Sequence, residues 1–323
     1  MNATTRLDTL EQTHPEWLAW LQLVREITSE LSSDRWDADG SAADLSPITG
    51  STSPSAPRLA AAVLRPDRQR LARLLTRLLD TARAQGLEAL AGNGHPADAA
   101  PFQRWTRHNP GAGTAPSVDA LDVFLAAIND DHPRLDQHAR RLGATPEGFR
   151  VLAALLPIPF LHAFTRRCAG DSVGTWSQGY CPVCGAWPAF AEVRGIERSR
   201  HLRCGRCAAS WVLPVLACCY CATTDHNVLG TLVTDDKTTR FSVNTCRQCS
   251  GYLKSCTTLQ ATPADSILAV DLASVAFDVA AVERGFLRPQ GPAIALGAKL
   301  ANDFRLPAEP AASVPARSAR WGF

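Results

Sequence analysis

Little in this 323-residue chain points to a membrane, a secretory route or a familiar catalytic centre. The first residues, Met-Asn-Ala-Thr-Thr-Arg, contain no apolar signal core, so a cytoplasmic location is expected. The longest apolar run, Val151 to Phe164, is interrupted by Pro157 and Pro159. It falls short of the ~20 residues that a spanning helix needs, so no membrane insertion is expected. Net charge is only +2, and the basic residues are nearly all arginine. That gives little support to a general nucleic-acid or membrane-surface binder. There is no phosphate-binding Walker loop, no G-x-S-x-G, no H-E-x-x-H and no dinucleotide fingerprint, and the eight histidines are scattered. No residue is assigned a catalytic role, and the chain is not read as an enzyme.

Cysteine, by contrast, is abundant and ordered. Four Cys-x-x-Cys pairs follow one another: Cys181/Cys184, Cys204/Cys207, Cys218/Cys221 and Cys246/Cys249. The first two pairs read C-x2-C-x19-C-x2-C and the last two C-x2-C-x24-C-x2-C. The first spacing lies within that of zinc ribbons and rubredoxins, and the second is slightly longer. Two thiolates must sit on one edge of a tetrahedron, so the backbone between them has to turn tightly. A Cys-x-x-Cys knuckle does this, and its following amides can donate to sulfur. Gly185 suits a left-handed conformation at the end of the first knuckle, and Pro182 stiffens its approach. The third knuckle ends in Ala222, where glycine would be easier. The expected content is two metal ions, each held by four cysteines. Four thiolates suit iron or zinc alike.

Other fates for these thiols fit less well. A thioredoxin-like pair would need a βαβ pattern around the first Cys-x-x-Cys. Disulfides would need an oxidising compartment. Of the remaining cysteines, Cys219 adjoins Cys218 and could substitute as a ligand, while Cys168 and Cys256 read as small core residues. Arg194, Arg198, Arg200, His201, Arg203 and Arg206 crowd the first two knuckles. They support an alternative reading as a nucleic-acid-binding zinc ribbon, although a solvated arginine face explains them equally. His201 reads as a surface histidine first, and otherwise as a donor to a ligand or an alternative ligand.

The rest of the chain reads as α+β. Residues 1–165 are expected to form a helical domain with mobile linkers near 32–57, rich in Ser, Asp, Gly, Ala and Pro, and near 91–117, with Pro, Gly and Asn throughout. Pro15 opens a helix with Trp17, Trp20, Leu21, Val24, Ile27 and Leu31 on one face, which fits internal packing or a homodimer interface. Further helices are expected from Pro66 to near Gly86, over Val118–Ile128, near Pro133–Arg141, and from Thr145. Short strands are expected between knuckles, with a hairpin through Asp235-Asp236-Lys237 joining the third to the fourth. The boundaries predicted are 175–215 and 216–262 for two knuckle modules, 263–286 for a closing helix, and 287–323 for a partly disordered tail.

From Tyr180 to about Phe286 the chain resembles the formate dehydrogenase accessory proteins of the FdhE type. The resemblance rests on Cys181-Pro182-Val183-Cys184-Gly185, on Leu202-Arg203-Cys204-Gly205-Arg206-Cys207 with Trp211, and on Cys218/Cys221. It extends to Cys246-Arg247-Gln248-Cys249 with Tyr252-Leu253-Lys254, and to Asp271-Leu272-Ala273-Ser274 with Asp278 and Gly285. Val215, where the family tends to carry arginine, and Ala222 in place of glycine depart from the pattern. The resemblance implies a rubredoxin-type metal-binding maturation factor. Such a factor engages the catalytic subunit of an exported respiratory formate dehydrogenase in the cytoplasm, before export.

Overall fold

The computed structural model describes residues 2–31, 34–37, 55–87, 118–168, 176–235 and 239–301. Most of both expected linkers, the tip of the 235–237 turn and residues 302–323 lie outside them. Several helices start where a side chain satisfies a free amide. Asp67 caps α3 (Arg68–Ala84), Asp119 caps α4 (Ala120–Asn129), Asp131 caps α5 (His132–Leu142) and Thr145 caps α6 (Pro146–Ala153). The stripe predicted from Pro15 is a 3-10 turn, Pro15–Trp17, running into α2 (Leu18–Leu31).

Sequence periodicity did not disclose α1 (Ala3–Thr13). Its only buried residues are Ala3, Leu7 and Leu10, too sparse a stripe to read unaided. Tertiary contacts hold it: Arg25 of α2 reaches Asp8 and Glu11 at 2.8 and 2.7 Å, and its leucines pack with Leu21, Val24 and Ala269. The apolar run continues from α6 through a turn into α7 (Ile158–Cys168). Pro146–Arg167 is thus 22 residues long with a mean hydropathy of 1.4, enough by length and composition to cross a membrane, contrary to the expectation from the prolines. Pro157 and Pro159 fall at the start of α7, where a missing N–H costs nothing. The most apolar part of that stretch is 72% buried inside the protein, as a core helix would be.

The cysteine-rich half is a single mixed sheet in the order β4-β3-β2-β7-β6-β5. Its strands are β2 (Pro188–Arg194), β3 (Ser199–Cys204), β4 (Ser210–Val212), β5 (Leu229–Leu232), β6 (Phe241–Cys246) and β7 (Gly251–Thr258). The same unit occurs twice: a knuckle, two antiparallel strands, a second knuckle as the turn, and a third strand. The two copies join through β2 and β7, which run parallel with Phe190 opposite Lys254. The predicted hairpin is the β5–β6 pair.

The closing helix is broken. A 3-10 turn at Ala264–Ser266 leads into α8 (Ile267–Ala273) and α9 (Val275–Glu283). At the break Ser274 is buried and its hydroxyl donates to the carbonyls of Val270 and Asp271, a local competition that bends helices. Beyond it, residues 287–301 are not the loose tail expected. Leu296 and Ala298 are buried, and β8 (Lys299–Leu300) pairs with β1 (Val63–Leu64). Alanine and proline dominate this stretch, so composition alone suggested a tail, whereas its carbonyls and amides are engaged by residues far away in sequence.

A candidate double metal centre

All four knuckles share one local solution. The residue after the second cysteine is left-handed in each: Gly185 at φ 66°, Ala208 at 62°, Ala222 at 59° and Ser250 at 53°. Only the first is glycine; the other three accept a conformation costing roughly 1–2 kcal/mol for an L-residue. That turn closes the loop: Gly185 N–H donates to Cys181 O at 3.0 Å, Ala208 N–H to Cys204 O at 3.2 Å and Ala222 N–H to Cys218 O at 3.0 Å. It also aims amides at sulfur. Val183, Arg206 and Tyr220 each donate to a cysteine Sγ at 3.4 Å, as the knuckle chemistry predicted.

The knuckles meet in pairs. Cys181, Cys184, Cys204 and Cys207 form one quartet and Cys218, Cys221, Cys246 and Cys249 another, with all sulfurs of a quartet within 4.8 Å of one another. The pairing pattern repeats: Cys181 faces Cys207 and Cys184 faces Cys204 at 3.4 Å, while Cys218 faces Cys249 and Cys221 faces Cys246 at 3.7 Å. A tetrahedral ion with metal–sulfur bonds of about 2.3 Å needs sulfurs about 3.8 Å apart, close to this arrangement. None of these cysteines is in a disulfide.

Burial and the neighbouring thiols set the electrostatics of the two quartets. Burial pushes the Cys181 and Cys207 thiols up, whereas hydrogen bonds from the three surrounding thiols draw Cys184 down. In the second quartet burial likewise pushes Cys218 and Cys249 up. Burial alone would raise Cys246 too, but the Cys249 and Gln248 amides outweigh it. Four thiolates gathered this closely require a divalent or trivalent ion to neutralise them. The donor set therefore fits a metal.

The arginines near the knuckles do not make a solvated face. Arg200 is buried and donates to the carbonyls of Pro214, Val215 and Ala217 at 3.1, 3.3 and 2.8 Å, shaping the approach to Cys218. Arg203 is buried against Glu192, which also receives Arg194 and the Thr262 amide. Arg206 donates to Ala127 O at 2.9 Å, tying its knuckle to the end of α4. Arg198 alone of the five is exposed. His201 is half-buried and pairs with Ser199 at 3.1 Å rather than with sulfur. Cys256 and Cys219 are buried, and burial pushes Cys219 up to about 12; the side chain of Cys168 lies outside the described residues.

One cluster was hidden in the sequence as separate words. Lys254 on β7 is 0% exposed and ion-pairs with Asp271 and Asp278, both at 2.7 Å. Tyr252 donates to Asp278 at 2.9 Å, and Arg288 joins Asp278 at 2.8 Å and the Ala189 carbonyl at 2.9 Å. This charge cluster clamps α8, α9 and residue 288 onto the sheet. The resemblance marked Tyr252, Lys254, Asp271 and Asp278 but not Arg288; nothing in their spacing placed them together.

A fold with two four-cysteine clusters on a repeated knuckle-and-strand unit defines a metal-binding class of protein. Residues 216–295 match the family model described as FdhE, C-terminal domain. The chain is 34% identical over 143 residues to a protein FdhE homolog of Pseudomonas aeruginosa, covering 42% of this chain and 46% of that one. It is 29% identical over 136 residues to a homolog of Aquifex aeolicus, covering 40% and 46%. It is 30% identical over 204 residues to one of Pseudomonas putida, covering 58% and 61%. The match thus spans about half the length of these curated relatives. The crystal structure of the FdhE protein from Pseudomonas aeruginosa aligns at a TM-score of 0.49 and 22% identity, over 90% of this chain and 93% of that one. Residues 216–295 thus resemble the C-terminal domain of FdhE proteins, and the chain as a whole is similar to the FdhE homologs of these three organisms.

Proposed function

We propose that this chain is a cytoplasmic accessory protein for maturation of a respiratory formate dehydrogenase, engaging the catalytic subunit before export. The family relationship supports the formate dehydrogenase connection. The observation that carries the molecular part is the pair of sulfur quartets, each within 4.8 Å. Cys181, Cys184, Cys204 and Cys207 would hold one ion, and Cys218, Cys221, Cys246 and Cys249 the other. An ion filled by four thiolates supplies cross-linking and charge neutralisation, with no coordination position left for a substrate. Iron in such a site would add a one-electron couple without changing ligands.

The chain's own residues do the rest. The buried Arg200, Arg203 and Lys254 hold the strands and helices around the clusters, and the helical half supplies a rigid body for the client to meet. The nucleic-acid alternative loses its main support, since Arg200, Arg203 and Arg206 are spent on internal carbonyls and acids. A pull-down of formate dehydrogenase catalytic subunit with the full chain, with elemental analysis of the bait, tests the proposal. Co-purification with two ions of iron or zinc per chain is expected. A bait that carries no metal, or that fails to retain the catalytic subunit, would contradict it.

A further inference from the structure

The two clusters share connectivity but not surroundings. All four cysteines of the first are buried. Residues 57–59 and 293–294 lie over them: Arg58 and Leu59 donate to Pro182 O and Val183 O at 2.9 and 3.0 Å, and Ala293 donates to Gly185 O at 3.1 Å. A Cβ on Gly185 would come within 3.2 Å of Pro57 and 3.3 Å of the Ile294 carbonyl, so this cover is close. In the second cluster Cys249 is exposed and Cys221 half-buried. A cavity of about 280 Å³ opens against Cys218 and Cys246, and two further donors, Cys219 and His226, line it.

We propose that the second cluster is an exchange site for a soft divalent cation, and that the first keeps its ion. This rests on the reading that both clusters bind metal. Exchange begins at Cys249, whose turn projects into solvent. With an ion bound, its sulfur would let go and take a proton from water, leaving hydroxide, while an incoming thiolate or aminocarboxylate ligand would bind the ion in its place. No oxidation or reduction is involved. The remaining three cysteines retain the ion until the incoming ligand removes it, or until a new ion arrives through the cavity. In the first cluster the same step would require residues 57–59 and 293–294 to lift away, a local unfolding that adds its own free energy.

The full chain, saturated with zinc, distinguishes these cases. Release to a pyridylazo dye is followed by absorbance while N-ethylmaleimide labelling is mapped by peptide mass spectrometry. Two release phases of equal amplitude are expected, differing by at least about tenfold in rate, with Cys249 and Cys221 labelled during the fast one. Two ions leaving in one phase, or first-cluster cysteines labelled first, would overturn the proposal while leaving the metal reading intact. Saturation below two ions per chain would overturn both.

Discussion

The first and second knuckle units use the same chain order, the same left-handed turn and the same cross-pairing of sulfurs, yet one is sealed and the other faces solvent. A knuckle is a local device: a tight turn and amides aimed at sulfur. Whether its ion is protected depends on segments far away in sequence. The first unit shares a continuous apolar core with the helices, in which Cys181, Cys184, Val183 and Trp211 pack with Phe160, Leu156 and Leu59. The second adds only Cys219 and Leu253 to that core, with Tyr220 against it, and otherwise rests on a smaller group, Val243, Tyr252 and Ala281, reinforced by the Lys254 charge cluster.

The largest expected effect separates the units outright. Cys184→Ser should remove the first ion and abolish cooperative unfolding of the sheet and the helices packed on it. Cys249→Ser should cost one ion and leave the helical core folded, as read by metal content and circular dichroism. Equal damage from both would erase the distinction. Next, Lys254→Met strands two acids beside Arg288, and a loss of about 3–5 kcal/mol is expected from denaturant unfolding. Leu59→Ala, at the cover over the first knuckle, should cost about 2–5 kcal/mol. It should also quicken metal release from the first cluster, and unchanged release would show that the cover does not protect it.

The helical half offers a control free of sulfur. Burial alone would raise Asp122, but hydrogen bonds from Arg134 and His138 outweigh it and hold the carboxyl below its usual range. A depressed acid contributes stability that is fully present above its unfolded value of about 3.9 and is lost as pH falls toward the folded value. Acid titration should show this loss as a difference between the chain and its Asp122→Asn variant, which lacks it. The smallest effect has the opposite sign. Ala222→Gly relieves a left-handed alanine and should stabilise the second unit by about 1 kcal/mol, measured on the metal-loaded chain.

Much of this was legible in residues alone. The helices expected from Pro66, over Val118–Ile128 and from Thr145 follow from 3.6-residue apolar stripes, and their caps Asp67, Asp119 and Thr145 from local hydrogen bonding. α1 was not legible, because its helix depends on Arg25 and on Ala269 of α8 rather than on its own apolar face. The arginines of β3 looked like a surface charge because a strand pattern does not reveal which carbonyls and acids its neighbours will offer.

Cysteine spacing by itself determined that sulfurs would gather in fours, since a three-bond turn leaves each pair few other ways to point. Only the folded chain decided that the two repeats share one sheet through β2 and β7, that Lys254 meets Asp271 and Asp278, and that residues 57–59 and 293–294 cover one cluster and not the other. Those outcomes depend on contacts between residues tens to hundreds of positions apart, and burial, unlike a turn, is a property of what surrounds a residue rather than of the residue itself.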